Sequence, residues 1–206
     1  MGLDIEELER IFPAYLLDAS KQRLLDCLSN KNANHDYFAQ SWDGADAPLQ
    51  GDGWSTFKLY DFELGEEREV SGIIFSNSCD IDAENNSMRP RNVVFAPFIT
   101  LETYLRRLTE GAIPADRRQN HIEAIKRQEK TEIFYVPATQ SVPECIVMLD
   151  DIHSIPLKTF LDAGRPRKKL FRLNNFGFYM FLMKLAIHFT RFGEAIDRDG
   201  GLVGAD

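Results

Sequence analysis

Cysteine is scarce. The 206-residue chain has three, Cys27, Cys79 and Cys145, too few and too far apart for a disulfide framework or a CxxC zinc pair. Histidine is equally sparse: His35, His121, His153 and His188 form no HxH or HxxxH pairing, which removes the usual imidazole metal site. No apolar run approaches the roughly 18 residues that cross a bilayer. The opening MGLDIEELER is acidic where a secretory signal is basic and then apolar. Positive charge is also in deficit, with 24 Lys and Arg against 32 Asp and Glu and a net charge of -8. These absences predict a reduced, cytoplasmic protein that needs no metal or cofactor and binds neither membrane nor double-stranded DNA.

What is present is ordinary globular material, 44% hydrophobic and 27% charged, enough for one main domain. Leu8, Ile11, Phe12, Tyr15, Leu16, Leu24, Leu25 and Leu28 recur at spacings of three and four, which predicts an N-terminal helical arm over 1–30. Residues 31–53 are rich in Asn, Asp, Gly and Ala without periodicity, the composition of a linker. Val, Ile and Phe then gather in five short runs that predict strands near 55–62, 72–77, 92–98, 132–136 and 145–150. Between the third and fourth runs, a Thr-led TLETYLRRLTEG and a more polar second segment predict a helical insertion over 101–130. The run from 175 to 190 predicts a strongly apolar helix capped by Asn174 or Asn175, and 193–206 a tail without a core-forming pattern. The fold class is therefore α+β.

Three stretches draw chemical interest. GIIFSNSCDID sets Cys79 beside Asp80 and Asp82, whose negative charge disfavours a reactive thiolate. The expected Cys79 is thus a small structural side chain tucked beneath a sheet rim, with Asp80 accepting backbone N–H bonds in the turn. GRPRKKLFR gathers Arg165, Arg167, Lys168, Lys169 and Arg172, enough for phosphate contacts or an acidic partner. Thr100, placed between a strand and LETYL, is either a helix N-cap or a hydroxyl free to hold a phosphate oxygen.

Four pieces in order, STFKLYDFELGEE, GIIFSN, NVVFAPFIT and CIVMLDDIHSI, resemble the MazF/PemK family of toxin-antitoxin endoribonucleases. The resemblance implies a small SH3-like β-barrel over 54–192, a homodimer, and a toxin-antitoxin or phage-defence setting. The partner would be single-stranded RNA or an antitoxin-like regulatory protein. It also implies metal-independent RNA cleavage by a Thr ending the third strand and an Arg preceding the second. Thr100 matches the first position; Val70 stands at the second, leaving Arg68, Arg89 or Arg91 to supply the guanidinium. Asn77, at the end of GIIFSN, and His153, in the turn the family places near its dimer and RNA surfaces, join the binding candidates. Two functions stay open on this basis: a divergent endoribonuclease, or a non-catalytic protein-binding module on the same barrel.

Overall fold

The computed structural model describes residues 36–41, 47–61, 65–85, 88–162, 164 and 166–190. The arm expected over 1–30, the tail over 193–206 and the candidate Arg165 lie outside them. Seven strands form one antiparallel sheet: β1 (Gly53–Asp61), β2 (Glu66–Ile74), β3 (Asn92–Thr100), β4 (Ile133–Val136), β5 (Cys145–Met148), β6 (His153–Pro156) and β7 (Lys169–Phe171). Their order is β4-β5-β3-β2-β1-β7, with β6 also paired to β3. The sheet path is open, running from β4 at one end to β7 at the other. Five described helices accompany it: α1 (Ser78–Ile81), α2 (Leu101–Glu110), α3 (Ala115–Lys126), α4 (Leu157–Phe160) and α5 (Asn175–Thr190).

β3 is the axis of the molecule. One of its edges meets β2 through Gly72↔Pro97, Ile73↔Ala96 and Ile74↔Phe95. Its other edge meets β6 along Asn92–Phe95 and β5 along Phe98–Thr100. Strand alternation then divides the interior. Ala96 and Phe98 of β3, Phe134 and Val136 of β4, and Cys145 and Val147 of β5 face α5, where Met180, Phe181 and Met183 complete one core. Val93 and Phe95 face the other way, into a second core with Trp54, Phe57, Ile81, Ile155 and Phe160. A third lies under α2 and α3, formed by Leu101, Ile125, Ile133, Tyr135 and Ile146.

Strict alternation would send Trp54 and Phe57, three residues apart, to opposite faces. The register slips between them, and Thr56 adopts φ 63°, so the extra residue of this bulge returns both rings to the same core. Phe57 stacks on Phe95 at 4.1 Å and on Phe160 at 5.1 Å between ring centres.

The five expected strands are all present; β2 starts earlier than expected, its exposed EEREV half lacking the apolar residues that mark a strand, and it ends at Ile74. β6 and β7 are additional to these; at four and three residues each is too short to show a period in the sequence. Stretches expected only to connect are packed instead. Tyr37 is buried edge-on against Phe176, Phe38 bridges Leu173, and Gly51 donates its N–H to the Ile74 carbonyl. Asn174 caps α5 by accepting from Gly177 N–H at 2.9 Å. The helical excursion ends in a clamp: the Gln128 amide accepts from Tyr135 N–H at 3.1 Å and donates to Tyr135 C=O at 2.8 Å, occupying the outer edge of β4 as a neighbouring strand would.

Candidate functional site: a cleft at the start of β3

Asn92 and Val94 share a face with Ala96 and Phe98, yet α5 covers only the latter pair, so the beginning of that face stays open. Beside it the chain leaves β2 and makes a polar turn that is tightly wired. Asn77 Oδ1 accepts from Cys79 N–H at 3.0 Å, Asp82 Oδ1 accepts from Glu84 N–H at 2.9 Å, and Asn85 Nδ2 donates to Cys79 C=O at 2.8 Å. Ser76 Oγ accepts from Val94 N–H at 2.7 Å, fastening the turn to β3. Arg91 donates to the Asp82 carbonyl. From the other side, Gln50 Nε2 donates to Phe75 C=O and Gln50 N–H donates to Ser78 Oγ.

Between this turn and the approach to β3 lies a cleft of about 470 Å³. Arg89, Arg91, Asp80, Asn85, Asn92 and Ser76 supply its polar lining, and Pro90 and Val94 its apolar surface. Two arginines and one aspartate are the charged residues of this lining. Arg89 approaches Asp80 at 4.0 Å with both side chains largely in solvent, a distance at which the pair is weakly held and exchangeable. The lining itself carries two arginines to one aspartate, and the cleft's size suits one nucleotide or a comparably small polar group.

The candidate residues divide between the two ends of the sheet. β2 and β3 are antiparallel, so Arg68 and Thr100 lie toward one end, while Asn77, Arg89 and Arg91 lie at the other. The nine residues of β3 alone span about 26 Å. Thr100 and either Arg89 or Arg91 therefore cannot act on one phosphate. Thr100 is the N-cap of α2: its Oγ1 accepts from Thr103 N–H at 3.1 Å and donates to Thr103 Oγ1 at 2.8 Å. Arg68 is exposed beside Asp61 at 3.5 Å, and the β2–β3 ladder stops at Gly72↔Pro97 because proline has no N–H to continue it.

The basic stretch is also redistributed. Lys169 is buried and lies 3.5 Å from the buried Asp52, to which Arg172 adds a two-pronged pair at 3.1 Å. Arg167 lies over the rings of Trp54 and Phe160 and donates to Phe160 C=O at 2.5 Å. Only Lys168 stands fully outward among the described cations of this run, while Arg167, Lys169 and Arg172 are tied into the fold. His153 bonds Asp151 at 2.8 Å and lies 5.7 Å from the Phe95 ring, on the face opposite the cleft. Asn77 serves the turn through its side chain, which caps α1.

Two expectations for the turn are corrected. Cys79 is exposed, not tucked under a rim, because the four-residue α1 turns Ile81 rather than Cys79 inward. Asn77 and Asp82, not Asp80, accept the turn's N–H groups, which leaves the Asp80 carboxylate facing the cleft. Residue type marks Arg89 and Arg91 in the sequence, but not Ser76, Asn85 or Asn92 beside them; the signal for these is the density of Asn and Arg between 85 and 92.

Other ionisable groups lie deeper. Lys184, in the middle of α5 and 1% exposed, donates to the Gln128 carbonyl at 2.9 Å and to the Lys130 carbonyl. Burial depresses its pKa to about 7, with Glu132 opposing the fall. Burial also pushes the Cys145 thiol up to about 11. Tyr104 and His121 bond at 2.9 Å; burial raises the phenol pKa and lowers that of the imidazole. No group of three or more His, Cys, Asp or Glu among the described residues is placed to hold a metal ion. No described helix is long and apolar enough to cross a membrane.

Fold and site together define an α+β protein whose antiparallel sheet carries an open, polar, arginine-lined cleft at its central strand. No protein-family model matches the chain, and no curated protein matches it.

Proposed function

We propose that this is an RNA-directed protein of MazF/PemK type, with an SH3-like barrel architecture, whose nucleic-acid site is the cleft between the 76–85 turn and the start of β3. The observation that carries the reading is the convergence of Arg89 and Arg91 with the amides of Asn85 and Asn92 in one opening of nucleotide size. Guanidiniums supply the electrostatic hold on phosphate, and amides supply hydrogen bonds to exposed base edges of a single strand. The succession of β2, β3 and β5, with α5 over one face, supports the barrel assignment. In this reading Thr100 serves the fold, and the protein binds RNA without the Thr100-based cleavage that the resemblance implies.

Fluorescence anisotropy with a labelled single-stranded RNA tests it. Binding should weaken with salt at a log–log slope of about -1.4, the value for two phosphate contacts on a single strand. Arg89→Ala and Arg91→Ala should each remove about half of that slope. A gel of the same RNA after incubation in EDTA should show it intact. Absence of binding at low salt would eliminate the reading. It would favour the second one, a non-catalytic module for a protein partner, which the exposed Glu66, Glu67 and Glu69 of β2 make attractive for a basic surface.

A further inference from the structure

Phosphate recognition explains the two arginines of the cleft but not its carboxylate. Asp80 lines the same opening, is 61% exposed as a side chain, and has one described ion pair, the loose 4.0 Å approach of Arg89. The hydrogen bonds that shape the turn are made by Asn77, Asp82 and Asn85, so its geometry does not require the Asp80 carboxylate. A carboxylate repels phosphate, and placing one in a phosphate-binding cleft costs affinity unless it meets hydrogen-bond donors on the ligand.

We propose that Asp80 is a specificity residue that makes the cleft select guanine. This rests on the RNA reading given above. On the edges that a splayed-out base exposes, guanine alone offers two adjacent donors, N1–H and the C2 amino group, spaced to meet the two oxygens of one carboxylate. Adenine and cytosine each set one donor beside an acceptor lone pair that faces the second oxygen, and uracil flanks its single donor with carbonyls. The carboxylate thus rewards guanine and penalises the other three bases. Arg89 then has two tasks in alternation. In the free protein it lies near Asp80; with RNA bound the base meets Asp80 and Arg89 meets phosphate.

The test uses the full chain and four labelled RNA octamers, oligouridine with G, A, C or U at one central position, read by anisotropy at low salt. The G-containing strand should bind roughly tenfold to a hundredfold tighter than the other three, the range of a good bidentate base contact. Asp80→Asn should abolish that preference while leaving the uridine octamer bound as well or better, since repulsion of phosphate is lost with the charge. Arg91→Ala should weaken all four strands alike and keep the preference. Equal affinity for all four strands, or a preference that survives Asp80→Asn in a variant with an unchanged melting profile, overturns the inference and leaves the RNA reading standing. Failure of every strand to bind overturns both.

Discussion

Replacing Lys184 by Met should change how stability depends on pH more clearly than it changes stability at any one pH. The amine is buried inside α5 and donates to the carbonyls of Gln128 and Lys130. Its pKa falls from 10.5 to about 7 because burial disfavours the charged form. Between those two values the unfolded chain binds a proton that the folded chain does not, so stability rises with pH across the window. At pH 7 the folded protein bears nearly the whole cost of the shift, and by pH 9 about half of it is relieved. Integrating the linkage relation from pH 7 to 9 gives a gain of about 2 kcal/mol. Above pH 9 a second group opposes this gain: the buried Cys145 thiol, raised to about 11, contributes stability that is lost as pH climbs above its unfolded value of 9.0. Urea denaturation followed by circular dichroism at half-unit steps from pH 7 to 9 measures the slope. The wild-type chain should gain about 2 kcal/mol, and Lys184→Met should be flat by comparison. Its stability at pH 7 is the difference of two opposed effects, release of a desolvated charge and loss of donors to two carbonyls, and so decides less. Parallel pH profiles for the two proteins would refute the reasoning and mean that Lys184 keeps an ordinary pKa.

Thr100→Val should cost about 1 kcal/mol of stability through the lost cap of α2 and leave RNA affinity unchanged, which melting and anisotropy on one preparation would check. Asp52→Ala strips the carboxylate from Lys169 and Arg172 and should cost about 3 to 5 kcal/mol, measured by urea denaturation. Gly72→Ala should lower the melting temperature, because the new methyl would meet the Ala96 carbonyl oxygen at 2.5 Å in the adjacent strand, and that backbone has little room to retreat. Cys79→Ser should leave RNA binding within a few fold, since only the backbone of Cys79 takes part in the turn.

Elements long enough to repeat a pattern were legible in the sequence. β1, β3 and α5 carry several periods each, and the Thr-led insertion declared both its start and its helical character. The bulge at Thr56 was not, since a β-branched residue at positive φ carries no sequence mark and is held by its neighbours: Ser55 N–H donates to Lys168 C=O, and Lys168 N–H donates to Ser55 Oγ. The basic stretch misled for a related reason. A charge run reads as solvated surface, but its partner Asp52 lies more than a hundred residues away in sequence, within a stretch that looks like linker. In the cleft, Arg89 and Arg91 were visible by residue type. Their separation from Thr100 depended on which end of β3 each occupies, and only the strand register supplies that.

The Gln128 clamp alters the standing of the two-helix excursion between β3 and β4. An outermost strand with bare amide and carbonyl groups is a template on which other chains can polymerise. By presenting a side-chain amide to Tyr135, the excursion acts as a stopper on that end of the sheet. A shortened chain joining β3 directly to β4 could retain its interior and still precipitate, because what it would have lost is insulation.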